Sequence, residues 1–213
     1  RRELADALAV ARARGIAVRV VETRELDDPQ YAANPFNRCF HCKRELFQQL
    51  RRLADAENFA HIACGDNADD RGDHRPGAQA ARELGVHSPL QETGLTKAEI
   101  RELSRRLGLP TADKPALACL ASRIPYGEPV TPEALAMVEE AEAFLRGLGF
   151  RDVRVRHHAS PGGAAPLARI EVEPDRVARL FEDDLNLKIA GALKKIGYTH
   201  VSVDLLGYRR GSL

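Results

Sequence analysis

Helical periodicity and short apolar runs alternate through the first third of the chain, and this alternation restricts the fold more than any other feature. Leu4, Ala7, Leu8 and Ala11 recur at helical spacing, with Gly15 as the stop. IAVRVVET (16–23) follows as a Val/Ile-rich strand. A second helix, from about Lys43 to Ala56, carries Leu46, Phe47, Leu50 and Leu53 on one face, and FAHIAC (59–64) is a second short apolar strand. Apolar strands separated by amphipathic helices predict an α/β fold with a parallel sheet covered on both faces. Ligands of such sheets bind beyond the carboxyl ends of the strands. Two unusual stretches leave strand ends there: DDPQYAANPFNRCFHC (27–42), expected as a long irregular loop, and the polar GDNADDRGDHRPG (65–77).

Farther along, Thr96 and Glu99 form a capping box ahead of a helix carrying Ile100, Leu103 and Leu107, stopped by Gly108. Residues 109–130 form another irregular stretch, with four prolines and Cys119. Thr131 and Pro132 restart a helix as N-cap and first residue, with Leu135, Val138, Ala141 and Leu145 on its apolar face and Gly147 at its end. The period then changes to two. In RDVRVRHH, Val153, Val155 and His157 alternate with Arg154, Arg156 and His158, and LARIEVE alternates after the hairpin-like PGGAAP (161–166). Helices near 174–181 and 185–196 and a strand in THVSVDL complete a small α+β domain with an antiparallel element. The expected boundary lies near residue 125, dividing a nucleotide-binding domain (1–125) from a C-terminal α+β domain (126–213).

Charge limits the partners. With 32 basic and 31 acidic side chains the net charge is +1, which argues against a dedicated nucleic-acid binder. No apolar run approaches the roughly 18 residues of a membrane span, and the charged, amphipathic N-terminus is no signal peptide. Four cysteines in 213 residues are too sparse for a secreted disulfide scaffold, so a cytoplasmic location is expected. Met137 is the only methionine, so the natural start is expected upstream of Arg1.

Cys39 and Cys42, spaced C-x-x-C, suit a zinc corner, an iron–sulfur corner or a redox pair, the last less well because they follow a loop. Cys119 is the natural third thiolate. Three thiolates without an obvious fourth ligand leave an open coordination position, as a catalytic metal or cluster requires. His41 in that position would give a structural Cys₃His zinc site instead. Cys64 reads as a small buried hydrophobe. Asn67, Asp69 and Asp70 suit Mg²⁺ or nucleotide contacts, or else a solvated turn. Arg154 and Arg156, two apart on one strand face, make a fork for phosphate or carboxylate, or pair across the sheet with Glu171 and Glu173. Ser122-Arg123 could bring a cation beside the Cys119 thiol.

Taken together, NPFNRCFHCKRELF, GDNADDRGDHRPG, VHSPLQETGLTKAEIRELSRRLGL, KPALACLASRIPYG, RVRHH with ARIE, and the closing GYRRGSL resemble the LarE family of ATP-dependent sacrificial sulfur transferases along essentially the whole chain. The resemblance implies a pyrophosphatase-loop α/β nucleotide domain. It implies adenylation, with ATP and Mg²⁺, of a carboxylate on a pyridinium biscarboxylate mononucleotide, and displacement of AMP by sulfur to give a thiocarboxylate for the nickel-pincer nucleotide. The family's SGGxDS loop is absent from the 213 residues and is expected upstream. Some members carry only the cysteine matching Cys119 and give up its sulfur. Three-cysteine members imply a [4Fe-4S] cluster on Cys39, Cys42 and Cys119 whose open iron carries the sulfide. By the same resemblance Ser122, Arg123 and Glu142 support sulfur transfer, Arg154, Arg156 and Glu171 handle the substrate, and Asn67, Asp69 and Asp70 face the nucleotide. The family tends to form homo-oligomers. Two other functions compete: a cluster-dependent tRNA thiolase of the same class, disfavoured by the +1 charge, and a non-catalytic, zinc-stabilised binding fragment.

Overall fold

A computed structural model describes residues 2–72, 76–114, 118–159 and 166–209. The helices are α1 (Arg2–Arg14), α2 (Pro29–Ala32), α3 (Arg38–Ala56), α4 (Pro76–Glu83), α5 (Pro89–Glu92), α6 (Lys97–Arg106), α7 (Pro132–Gly147) and α8 (Leu185–Ile196). The strands are β1 (Arg154–His158), β2 (Leu167–Glu171) and β3 (His200–Val203), so the fold is mixed α/β. The chain divides into two compact units. One comprises Arg1–Glu25 with Asn37–Leu117, and the other Leu26–Phe36 with Ala118–Leu213.

In the first unit α3 packs against α4. Phe47 and Ala54 of α3 meet Ile62, Ala81 and Val86, with Leu46, Leu50 and Leu84 at the margin. The approach of the two helices requires glycine at position 77, where a Cβ would fall 2.9 Å from Lys43 Cγ. α6 begins as expected: the Thr96 hydroxyl accepts from Glu99 N, and the Glu99 carboxylate accepts from Thr96 N at 2.8 Å. The apolar face expected for α6 is not buried, since Leu103 is 42% and Leu107 65% exposed.

Two expectations fail here. Residues 16–23 form no β-ladder among the described residues, and Ile16, Val18 and Val20 are each at least half exposed. Strand propensity needs a neighbour to supply hydrogen-bond partners and a packing surface, and the described part of this unit sets no strand beside them. The 59–64 segment keeps one trace of parallel pairing. Ala63 bridges His87, with Cys64 N donating to His87 O at 2.8 Å and His87 N to Ile62 O at 2.9 Å. The second correction concerns residues 27–42. They hold α2 and the first turn of α3, which starts at Arg38 behind the N-cap Asn37, five residues before the expected start. Phe40, His41 and the two cysteines are mediocre helix formers. Their place on α3 follows from its packing rather than from local preference.

The second unit is built on the three strands in the order β1-β2-β3. β1 and β2 are antiparallel with Arg154 opposite Glu171, while β2 and β3 are parallel with Leu167 opposite His200. The hairpin-like 161–165 connection lies outside the described residues, as do 210–213. The period-two pattern holds: Val153 and Val155 enter a core with Ala168, Ile170, Leu180, Ile189, Leu193 and Tyr198. α7 supplies Ala141 and Leu145 to that core from one apolar stripe. Its start is the expected one, with the Thr131 hydroxyl accepting from Ala134 N at 3.1 Å. The helix expected near 174–181 is instead two short 3₁₀ turns, Pro174–Arg176 and Ala178–Phe181. Asn34, fully buried, ties the 26–36 segment to this unit by donating to the carbonyls of Pro125 (2.7 Å) and Glu128 (2.8 Å). Among the described residues no helix is long and apolar enough to cross a membrane.

Candidate functional site

Cys119 opens the 3₁₀ turn Leu120–Arg123, and the turn fixes its backbone. Its carbonyl accepts from Ser122 N (3.0 Å), from the Ser122 hydroxyl (2.7 Å) and from Arg123 Nη1 (3.0 Å). The thiol itself is free and exposed. Arg123 also donates to the Ala118 carbonyl at 2.8 Å. Its other edge grips Glu142 of α7 in a two-pronged pair, Nε to Oε1 at 2.7 Å and Nη2 to Oε2 at 3.1 Å. The sulfur thus stands at the surface on a turn anchored to a fully buried carboxylate.

Glu142 joins this turn to the sheet. It accepts from Val155 N of β1 at 3.2 Å and from Arg146 one helical turn along α7. Arg156 repeats the arrangement: it pairs with Glu171 through Nε (2.9 Å) and Nη2 (3.0 Å), and its Nη1 donates to Ser122 O at 2.8 Å. Arg169 reaches the same Glu171 at 3.2 Å and Asp204 at 3.5 Å. Six of the residues singled out in the sequence (Cys119, Ser122, Arg123, Glu142, Arg156 and Glu171) therefore form one connected network within the second unit. Of the alternatives open for the two strand arginines, cross-sheet pairing describes Arg156, and its partner is Glu171. Glu173 instead accepts from Arg151 N and Asp152 N.

Arg154 is the exception. It is 5% exposed, yet no carboxylate pairs with it among the described residues; Nη1 donates to Val153 O at 2.8 Å, and the guanidinium lies 4.8 Å from the Tyr208 ring centre. Burial first, and then the neighbouring Arg123, hold it below the usual arginine value, opposed by the charge of Glu142 and by a hydrogen bond with the Tyr208 side chain. Five guanidiniums (Arg123, Arg146, Arg154, Arg156, Arg169) meet three carboxylates (Glu142, Glu171, Asp204) here. Buried charge without a counterion is costly, so the cluster is suited to an anionic ligand.

On β1, His157 lies 3.4 Å from the Tyr198 hydroxyl. Burial lowers the His157 pKa, opposed by Glu128, and lowers that of His158, with Arg169 acting in the same sense. A histidine depressed in the folded state binds its proton first in the unfolded chain. Its contribution to stability is complete above the ordinary value of 6.5 and is lost as pH falls below it. The melting temperature should therefore fall on acidification below pH 6.5, and His157→Phe should flatten that fall. Equal slopes in thermal melts of the two proteins would remove His157 from this account.

The remaining sequence candidates lie in the first unit. Cys39 (exposed) and Cys42 (half-buried), neither in a disulfide, stand three residues apart on α3, hence neighbours on one helical face. His41 is buried, edge-on to Phe40. Within either unit, among the described residues, no group of three or more His, Cys, Asp or Glu side chains is gathered as a metal site. The donor set of Cys39 and Cys42 fits a two-thiolate corner. Cys64 borders the core and contacts Ser88 Oγ at 3.2 Å. Asn67, Asp69 and Asp70 knit their own turn: Asp70 Oδ2 accepts from Asn67 N (2.9 Å), Asn67 Oδ1 from Asp69 N (3.1 Å), and Asp69 Oδ2 from Lys97 N (3.0 Å) at the start of α6.

No protein-family model matches the chain. A pyridinium-3,5-bisthiocarboxylic acid mononucleotide synthase from Lactiplantibacillus plantarum is 32% identical over 213 residues, covering 99% of this chain and 74% of that protein. The chain belongs to this synthase's family, LarE. An uncharacterized protein from Synechocystis is 44% identical over 211 residues (99% of this chain, 76% of the relative). One from Methanocaldococcus jannaschii is 30% identical over 172 residues (81% and 64%). In this LarE chain, sequence reasoning passed over Arg146, Arg169, Asp204 and Tyr208. Arg146 stands four residues after Glu142 on a helix, a readable pairing signal. Tyr208 lies within the quoted GYRRGSL, whereas Asp204 carried no signal.

Proposed function

We propose that the chain is an ATP-dependent sulfur transferase that converts a carboxylate of a pyridinium carboxylate mononucleotide to a thiocarboxylate, in nickel-pincer cofactor synthesis. One observation carries the reading: an exposed cysteine sits on a turn locked to a buried arginine-rich cluster in which Arg154 lacks a carboxylate. In this scheme the substrate carboxylate attacks the α-phosphorus of ATP and pyrophosphate leaves. The sulfur nucleophile then adds to the acyl carbon and AMP departs with the C–O bonding pair. Arg154 and Arg156 orient the mononucleotide phosphate. Arg123, Glu142 and Ser122 hold residue 119 in place, so that little ordering remains to be done when substrate arrives. Asn67, Asp69 and Asp70 face the ATP and its Mg²⁺ in a pyrophosphatase-loop sheet, a reading supported by the parallel bridge at Ala63 and the exposed apolar residues of 16–20. Cys39, Cys42 and Cys119 are assigned as ligands of a [4Fe-4S] cluster, which when bound would supply transferable sulfide. That none of the three is in a disulfide supports this assignment.

Arg154→Ala should weaken mononucleotide binding by about 10- to 100-fold, the loss of a charge-assisted hydrogen bond, and leave iron content unchanged. Equal affinity by isothermal titration would remove the phosphate role.

A further inference from the structure

The turn after β3 delivers Tyr208 to Arg154 by a tightly determined path. Asp204 N extends the sheet by donating to Ile170 O at 2.9 Å. The Asp204 side chain then accepts from Leu206 N and its carbonyl from Gly207 N, each at 3.0 Å, so the chain reverses at once. Gly207 has φ +67°, and a Cβ there would fall 2.6 Å from Val172 O and 2.9 Å from Pro174 Cα. Glycine is required on both counts, because an L side chain is strained at positive φ and backbone atoms cannot yield. Tyr208 N then donates to Val172 O at 2.6 Å, and the ring stands 4.8 Å from the Arg154 guanidinium.

Holding Arg154 against a ring differs in consequence from holding it against a carboxylate. Arg123 and Arg156 are committed to two-pronged pairs with Glu142 and Glu171. Those pairs offset part of their charge towards an incoming anion, so Arg154 carries the larger share of the attraction. An aromatic face orients a buried guanidinium through its quadrupole and adds no negative charge. We propose that Tyr208 is a positioning residue of the anion site, holding Arg154 with its ring face and its hydroxyl rather than with a paired carboxylate, so that the guanidinium stays available to the phosphate of the mononucleotide substrate. The proposal rests on the reading of Arg154 as a phosphate ligand given above. It assigns a role to the C-terminal Gly-Tyr pair and makes Gly207 its backbone determinant.

The test is titration calorimetry of the full chain with inorganic phosphate and with nicotinic acid mononucleotide, alongside thermal melts. Y208L should weaken mononucleotide binding by about tenfold, whereas Y208F, which keeps the ring and loses only the hydroxyl's hydrogen bond to Arg154, should stay within about threefold of wild type. Pentafluorophenylalanine at 208 keeps the ring's shape and reverses its quadrupole. It should reproduce the Y208L loss, and it serves if Y208L does not fold. In the R154A background Y208L should cost nothing further, because the ring acts through that guanidinium. A tyrosine that merely packs the turn would shift the melting temperature, leave affinity alone and tolerate fluorination. Any of those affinity results, or additive losses in the double variant, would overturn the proposal. Should R154A itself bind both probes like wild type, the phosphate reading of Arg154 fails first. If R154A weakens binding and the ring substitutions do not, only the role of Tyr208 fails.

Discussion

Glu142→Ala is expected to lower the unfolding free energy by about 3–5 kcal/mol, the usual cost of removing one partner from a buried ion pair. Glu142 has no exposed surface, and its two oxygens serve Arg123, Arg146 and the Val155 backbone. Removing it leaves the 2%-exposed Arg123 charged without a counterion and orphans a strand N–H. Chemical denaturation should show the midpoint moving with little change in slope. Arg146→Ala is the control. Arg146 is 28% exposed, and Glu142 would keep Arg123, so a loss of about 1 kcal/mol or less is expected. Equal losses in both variants would contradict the picture of Glu142 as the link between the Cys119 turn and β1. An E142A effect under about 1 kcal/mol would mean that water or rearranged arginines compensate. The same variant should loosen the Cys119 carbonyl network, because Arg123 is its far anchor.

The features that sequence made legible are those written in local chemistry. The Thr96 and Thr131 caps, the period-two run 153–157 and the helix at 185–196 each appear where pattern and propensity place them. What failed was non-local. The 16–23 run has every strand preference and, among the described residues, no ladder, since pairing depends on a neighbour that composition cannot supply. The early start of α3 was hidden because Cys39, Phe40, His41 and Cys42 do not announce a helix, and the C-x-x-C was placed on a loop in consequence. The site divides along the same line. Arg154 and Arg156 were recognisable as a pair on one strand face, but their different fates were not. Arg156 takes Glu171 and Arg154 takes a ring, a choice set by the distant turn at Gly207. Family resemblance supplied Glu142, which by spacing alone is one of several acids on an amphipathic helix.

Cys42→Ser is expected to abolish sulfur transfer as completely as Cys119→Ser, and this equality separates two ways of supplying the sulfur. Donation from Cys119 alone would break its own Cβ–Sγ bond and leave dehydroalanine, ending activity after one turnover. Cys42 contributes no atom to that reaction, and as a half-buried residue on α3 its replacement by serine changes little volume. C42S would then retain a full single turnover. If Cys39, Cys42 and Cys119 are instead joint ligands, losing any one removes iron, visible absorbance and transfer together. Anaerobically prepared full-length wild-type protein should contain iron and labile sulfide, turn over repeatedly with added sulfide, and keep the mass of Cys119 intact. The pair Cys39 and Cys42 weighs towards joint ligation, because two neighbouring cysteines on one helical face have no task in sacrificial donation. Stoichiometric zinc in place of iron would point to a structural centre. A C42S protein with undiminished first turnover, and dehydroalanine at 119 by mass spectrometry, would return the sulfur to the single exposed thiol on the Arg123-anchored turn.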